Sequence, residues 1–368
     1  MTRFDVGIVG LGAMGSMAAR ELAARGKRVI GFDRFHPPHP FGSSHGKSRI
    51  IREAYFEHPQ YVPLVQRAYE WWALLERQSG RSLLVPTGGL MIGMPDGALI
   101  GGARRSALEH RLPYEEFSAA QARERFPLFR LGEGEVGLFE PRAGVLFPEA
   151  ALEAALQLAE AAGAELHFDE PVTAWSAGEG ITLRTAARHW GVDRLILSAG
   201  AWLANGIARA PLPLRVARQT LFWFTPASDA RGIPVFIWEW APNQLFYGFP
   251  DLGDGVKVAI HHQGEETTPE QVRRTVYPDE ATRLREVMAT RTPQLLGPLR
   301  DSAVCLYTNT PDGDFLLDRH PEDGRVLVCS PCSGHGFKFA PTIGEVLADL
   351  VEDKPPRFDL SPFRLSRF

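Results

Sequence analysis

A mixed α/β (α+β) fold in two domains is the expectation, and three observations carry it. The chain opens on strand, turn, helix and strand with glycines at the turn, the pattern of a Rossmann-like parallel sheet. Its second half is dominated by short β runs separated by turn residues, which predicts a mostly antiparallel sheet packed with helices. At 368 residues it also exceeds the roughly 250–300 at which single cores stop growing.

The opening unit is the most informative. Val6 to Val9 is an apolar run with β propensity, and it ends in Gly10-Leu11-Gly12-Ala13-Met14-Gly15. Met14, Met17, Ala18 and Leu22 then recur at helical spacing, with Gly26 placed to end the helix. A second strand, Arg28 to Phe32, closes on Asp33. Gly10, Gly12 and Gly15 permit a tight turn and bring backbone N–H groups to a pyrophosphate at the positive end of the helix. Asp33, about 20 residues on, can accept hydrogen bonds from a ribose 2′-OH. The segment therefore predicts an adenine dinucleotide site.

Composition narrows the partners. A net charge of -4 gives no basic face for nucleic acid, which leaves small molecules. Cys305, Cys329 and Cys332 are too few and too late in the chain for a disulfide framework. No apolar run reaches the ~20 residues that span a bilayer, and the glycines of Val6 to Ala19 suit a nucleotide turn better than a signal peptide. A soluble, cytoplasmic protein is expected.

After Asp33, prolines and glycines preclude regular structure over most of residues 34–52. Lys47 reads as a solvated cation. Arg49 and Arg52 flank Ile50-Ile51, so they are either part of the same basic face or held in a buried anion site. Helices are predicted over 61–79, with Trp71 and Trp72 in its core stripe, over 98–110, over 118–126 with Ser118 as cap and Gln121 three residues on, and over 149–162. Leu84 to Met94 reads as a broken strand, and residues 140–146 as a turn between strands. Strands are expected at 165–168, 173–175, 181–185, 194–198, 218–224, 235–240, 244–249 and 256–261. A helix over 269–290, strands at 315–318 and 325–329, and a final helix over 341–352 complete the pattern.

The motifs together resemble one family, the monomeric sarcosine oxidase and N-methyltryptophan oxidase group of FAD-dependent amine oxidases. The resemblance runs through Gly10 to Gly15, Ser43-Ser44-His45-Gly46-Lys47-Ser48-Arg49-Ile50-Ile51-Arg52, Glu140-Pro141-Arg142-Ala143-Gly144-Val145-Leu146-Phe147, Tyr247-Gly248-Phe249-Pro250, Ala303-Val304-Cys305-Leu306-Tyr307-Thr308 and Ser333-Gly334-His335-Gly336-Phe337-Lys338-Phe339. It covers nearly the whole chain. It implies a monomer that oxidises a secondary (N-methyl) amino acid such as sarcosine, or alternatively N-methyltryptophan or a cyclic or other secondary amino acid, to an imine hydrolysed to aldehyde and amine, and reduces O2 to H2O2. It further implies an FAD-binding domain of residues 1–84, 145–212 and 306–368 and a substrate domain of 85–144 and 213–305.

The same resemblance implies roles for single residues. Cys305 matches the cysteine bonded to the flavin 8α carbon, and Arg52 and Lys338 match the pair that holds the substrate carboxylate. Lys257 and Arg49 match cations over the flavin ring, where fixed positive charge favours oxygen reduction. His261 matches the active-site histidine, while Tyr247 and Tyr307 match cavity-lining tyrosines; Ser43 and Gly334 fall in the cofactor-binding segments. His262 is read as structural.

Two features depart from the family pattern. Ser44 stands where a second histidine is usual, and Cys329-Ser330-Pro331-Cys332 forms a C-x-x-C followed by His335. Three candidate ligands are one short of a tetrahedral zinc site. Ile237-Trp238-Glu239-Trp240 is expected to shape the substrate pocket. A nicotinamide-dependent dehydrogenase and a non-catalytic flavin-binding protein are the competing readings.

Overall fold

The structure is a computed structural model that describes residues 3–368. The opening unit forms as its pattern dictates: strand β1 (Arg3–Val9), helix α1 (Ala13–Ala24) and strand β2 (Val29–Phe32). Along β1 the run Val6 to Val9 is buried, because Val6 and Ile8 pack on the helices of one face while Val9 packs on the other face against Trp175, Trp190 and Leu203. β1 pairs in parallel with β2 on one side and with His189–Leu197 on the other. Glu165–His167 extends the sheet beyond β2, and Asp323–Ser330 joins it in parallel beside Leu195–Leu197. Antiparallel strands Ala174–Ala177, Ile181–Arg184 and Leu316–His320 complete eight strands.

α1 is buried over most of its surface and packs against helices Pro148–Ala161 and Ala340–Val351. The approach to the second is close: a Cβ on Gly344 would lie 2.8 Å from the Met17 backbone. Trp72, fully buried on helix Val62–Ser79, donates from Nε1 to the Lys338 carbonyl at 2.9 Å. The core stripe of that helix thereby fixes a site residue.

A second, nine-stranded sheet contains Gly89–Gly93, Glu115–Ser118, Val136–Glu140 and all strands from Arg215–Phe224 to Leu299–Asn309. Its pairings are antiparallel except that between Val235–Ala241 and Gly89–Gly93. A three-stranded sheet of Arg49–Ile51, Gly144–Leu146 and Leu84–Pro86 lies between the larger two in sequence.

Most predicted elements form within a residue or two. Helix Ala98–His110 matches its expected limits, and Ser118 caps Ala119–Arg125 in a capping box with Gln121. The helix expected over 269–290 is a correction, since only Glu280–Arg291 is helical. Pro278 disfavours helix at the preceding residue, and Arg218 holds the carbonyls of Arg273 and Thr275 at 2.7 and 2.9 Å in place of a helical ladder. Ile237-Trp238-Glu239-Trp240 is a second correction. Only Ile237 lines the cavity, while strand alternation turns Trp238 into the opposite core, stacked on Phe246.

Among the described residues, no helix is long and apolar enough to cross a membrane.

Candidate active site

One cavity of about 750 Å³ runs from the glycine turn to the inner face of the second sheet. Its first half lies at the carboxyl ends of the parallel strands, where ligands of such sheets sit. Gly10 has φ of +94°, and a Cβ on Gly15 would lie 1.8 Å from the Gly10 carbonyl oxygen, so each must be glycine for the turn to close on α1. Gly12 differs: a Cβ there would meet only Ser44 Oγ, at 3.5 Å, and its open side is the cavity. Asp33 is buried at the cavity edge; its Oδ2 accepts from the Leu11 N–H at 2.8 Å and its Oδ1 from the Phe35 N–H at 3.0 Å. Ser44 Oγ accepts from the Ala13 N–H at 3.2 Å, which occupies one free donor at the start of α1.

The second half is built by strand alternation. In the antiparallel sheet Gln219 faces Cys305, Ala217 faces Tyr307, Trp223 faces Lys257 and Tyr247 faces Ala259. Residues two apart on a strand share a face, so Cys305, Tyr307, Lys257, His261 and Tyr247 all stand on one side. Cys305, Tyr307, His261 and Tyr247 line the cavity. Lys257 is fully enclosed behind Phe249, with Nζ 4.7 Å from that ring. It donates to the carbonyls of Gly46 at 2.6 Å and Ser48 at 2.9 Å. Burial, reinforced by Arg49, holds its pKa well below that of an ordinary lysine.

Residues 43–49 form the opposite wall. Arg49 donates to the carbonyls of Ser43 and His45 at 2.6 Å each and of Ser48 at 2.7 Å, and its Nη2 lies 3.7 Å from Cys305 Sγ. Ser43 Oγ donates to the Leu306 carbonyl at 2.6 Å, tying this wall to the strand that carries Cys305. Glu149 steadies the loop from behind by accepting from the N–H groups of Gly46 and Lys47. Lys47 itself is exposed and pairs with Asp254 at 3.2 Å.

Arg52 and Lys338 meet at the far end. Both are buried, and both lie over the Tyr55 ring, 4.2 and 5.2 Å from its centroid. Arg52 also stacks on Phe56 at 4.4 Å, and its Nη2 donates to Glu57 Oε2 at 2.6 Å. Burial pushes the Glu57 carboxyl up, but Arg52, His335 and Lys338 outweigh it and hold the group below the usual range. Lys338 Nζ donates to the His335 carbonyl at 2.6 Å and to Tyr55 Oη at 3.4 Å. Burial and the neighbouring Arg52 bring its pKa down to about 7. His335 Nε2 lies 3.1 Å from the Gly313 carbonyl and Nδ1 2.6 Å from Tyr55 Oη, so Nε2 carries the proton and the tyrosine donates to Nδ1. Gly334 takes φ of +77° and packs against Tyr307.

His261 Nδ1 lies 3.2 Å from Tyr307 Oη. Burial, with His262 adding repulsion, holds the His261 imidazole well below its usual pKa, so it is neutral near pH 7. Burial likewise raises the phenols of Tyr247 and Tyr307.

The residues expected from sequence thus converge on one cavity, except that Gly15 and Lys257 stand one layer behind its wall. Glu57 and Tyr55 carry no signal in the sequence, although both follow Arg52 within five residues, and His335, weighed there only as a companion of Cys329 and Cys332, instead bonds Tyr55. Cys329 and Cys332 are free thiols lining the cavity, and burial pushes Cys332 up to about 11. No group of three or more potential metal ligands occurs among the described residues.

These surroundings suit FAD. The space before Gly12 is open, Asp33 borders it, and the buried Thr308 Oγ1 in the wall has no protein partner. Residues 5–350 match the family model described as FAD dependent oxidoreductase. The chain is 42% identical over 358 residues to a monomeric sarcosine oxidase of Streptomyces avermitilis, covering 95% of this chain and 93% of that one. It is 34% identical over 371 residues to an N-methyl-L-tryptophan oxidase of Yersinia pestis, covering 99% of each. The solved structure of NikD, an unusual amino acid oxidase essential for nikkomycin biosynthesis, superposes with a TM-score of 0.87 at 24% identity, over 99% of this chain and 98% of that one. With the model match and these identities spanning nearly the full length, the chain belongs to the FAD-dependent oxidoreductases, in the group of monomeric sarcosine oxidases and N-methyltryptophan oxidases.

Proposed function

We propose that this FAD-dependent amine oxidase acts on a small secondary amino acid such as sarcosine, which becomes an imine that water splits into aldehyde and amine while O2 is reduced to H2O2. The observation that carries the reading is the convergence of Arg52 and Lys338 on the Tyr55 ring in a cavity that also holds Cys305. Arg52 can grip a carboxylate in two parallel hydrogen bonds, and Lys338 adds a point charge.

Bound FAD would supply the two-electron acceptor that O2 reoxidises, and the residues of the chain prepare the substrate. An ammonium nitrogen has no lone pair, so the bound amino acid must first lose a proton. Arg52, Lys338 and Arg49 lower the ammonium pKa by repulsion while the first two hold the carboxylate. His261, kept neutral by burial and hydrogen-bonded to Tyr307, lines the same cavity and can hydrogen-bond the amine without adding a positive charge. Lys257 and Arg49 are held by backbone carbonyls rather than carboxylates, so no protein anion offsets the positive charge they bring to oxygen reduction, although burial draws Lys257 toward its neutral form.

Attachment of FAD through Cys305 is supported by its place in the cavity wall beside Arg49. The two large sheets support a division into an FAD-binding domain of 1–84, 145–212 and 306–368 and a substrate domain of 85–144 and 213–305, except that strand Leu299–Asn309 belongs to the second sheet along its whole length and so carries the substrate domain to about residue 309. The testing experiment is anaerobic titration of purified yellow protein with N-methyl amino acids, sarcosine and N-methyltryptophan included. Bleaching by a small N-methyl amino acid is the expected result, and a spectrum unmoved by the whole panel would reject oxidase activity on this class.

A further inference from the structure

The segment Glu140-Pro141-Arg142 takes no part in the chemistry above, yet it is bonded directly behind Arg52. Glu140 ends the strand Val136–Glu140, and its side chain is buried. Oε1 accepts from the Glu53 N–H at 2.6 Å and Oε2 from the Ala54 N–H at 2.8 Å. Ala54 also offers its carbonyl to Arg52 Nη1 at 3.0 Å, so the short stretch after Arg52 is gripped from two sides. From the same segment Arg142 Nη1 donates to the buried Glu53 carboxylate at 3.1 Å. The Arg142 carbonyl is itself fixed by Tyr69 Oη at 2.9 Å.

We propose that Glu140 is a positioning residue for substrate binding: its carboxylate fixes the turn 52–54 so that the Arg52 guanidinium faces the cavity ready for a carboxylate. Only a group with two acceptor oxygens can take both N–H groups. An amide of the same shape keeps one bond and sets its NH2 against the other donor. Removing the carboxylate therefore loosens Arg52 without touching the cavity surface. The inference rests on the reading of Arg52 as the carboxylate grip.

The groups facing Glu140 are Glu53, Arg52 and Tyr69, and burial, with Glu53 adding repulsion, brings its pKa up to about 7. Glu140→Gln has the same size and shape and keeps one of the two backbone bonds, so the variant is expected to fold.

The experiment compares wild type and Glu140→Gln as holoenzymes. Steady-state KM and kcat for sarcosine are measured alongside the Kd of acetate, read from the flavin absorbance. The expected result is a KM and an acetate Kd each raised roughly tenfold, with kcat within about twofold and flavin content unchanged. A fall in kcat at constant KM, or both constants unchanged, would overturn the proposal. Arg142→Gln, which removes only the tie to Glu53, is expected to raise KM about threefold; an unchanged KM there overturns it as well. Wild-type protein that binds no acetate overturns the Arg52 reading itself, which separates that failure from failure of the clamp.

Discussion

Arg52 donates to the Glu57 carboxylate at 2.6 Å inside the cavity, five residues along the same turn. The cation proposed to receive a substrate carboxylate is therefore already paired, and an incoming ligand would have to displace its own protein's acid. Glu57→Gln removes the competing charge. At pH 6.5, with Lys338 mostly protonated, acetate should bind roughly tenfold tighter to this variant than to wild type. Weaker binding would mean that Glu57 orients Arg52 more than it competes for it.

Lys338 gives a pH dependence of definite sign. Its folded pKa of about 7 lies below the ordinary lysine value, so its charge is present below pH 7 and lost above it. Acetate is fully ionised throughout this range, and its Kd should rise as pH increases from 7 to 9. Lys338→Arg keeps the charge, and the rise should disappear. A wild-type Kd flat over that interval would remove Lys338 from the grip.

Cys305→Ser tests the tether. Wild-type protein precipitated with acid should retain its yellow colour in the pellet, and the variant should release it to the supernatant. The thiol is buried among Leu221, Trp223 and Ala259, so the single-atom change should leave the fold intact by circular dichroism.

The two glycines of the opening turn separate folding from binding. Gly15→Ala drives a methyl to 1.8 Å from the Gly10 carbonyl oxygen, and is expected to cost more than about 3 kcal/mol and yield little folded protein. Gly12→Ala meets only Ser44 Oγ at 3.5 Å within the protein. Its apoprotein should melt within a degree or two of the wild-type apoprotein while FAD affinity falls at least tenfold.

The sequence carried the local parts of this architecture well. Helix Ala98–His110 and the Ser118 cap are set by nearest neighbours and appear at their expected positions. Residues 269–279 have a helical pattern in the sequence but form no helix, because Arg218, more than fifty positions earlier, takes the carbonyls of Arg273 and Thr275. In the site, Arg52 and Lys338 were legible through motifs, but Glu57 and Tyr55 were not. Their importance comes from a turn that folds back on Arg52, and nothing in periodicity marks such a turn. Lys257 sits between two valines as a solvent-facing residue would, and only the pairing of its strand with Trp223 reveals that it is buried.

The strand Asp323–Ser330 lies beside Leu195–Leu197 in the sheet that begins with β1. A growing polypeptide released from the ribosome up to residue 322 would possess the complete glycine turn yet present a bare sheet edge. It would also lack Lys338, the second cation of the proposed carboxylate grip. Chains that end at residue 322 should therefore emerge colourless and prone to aggregate through that edge.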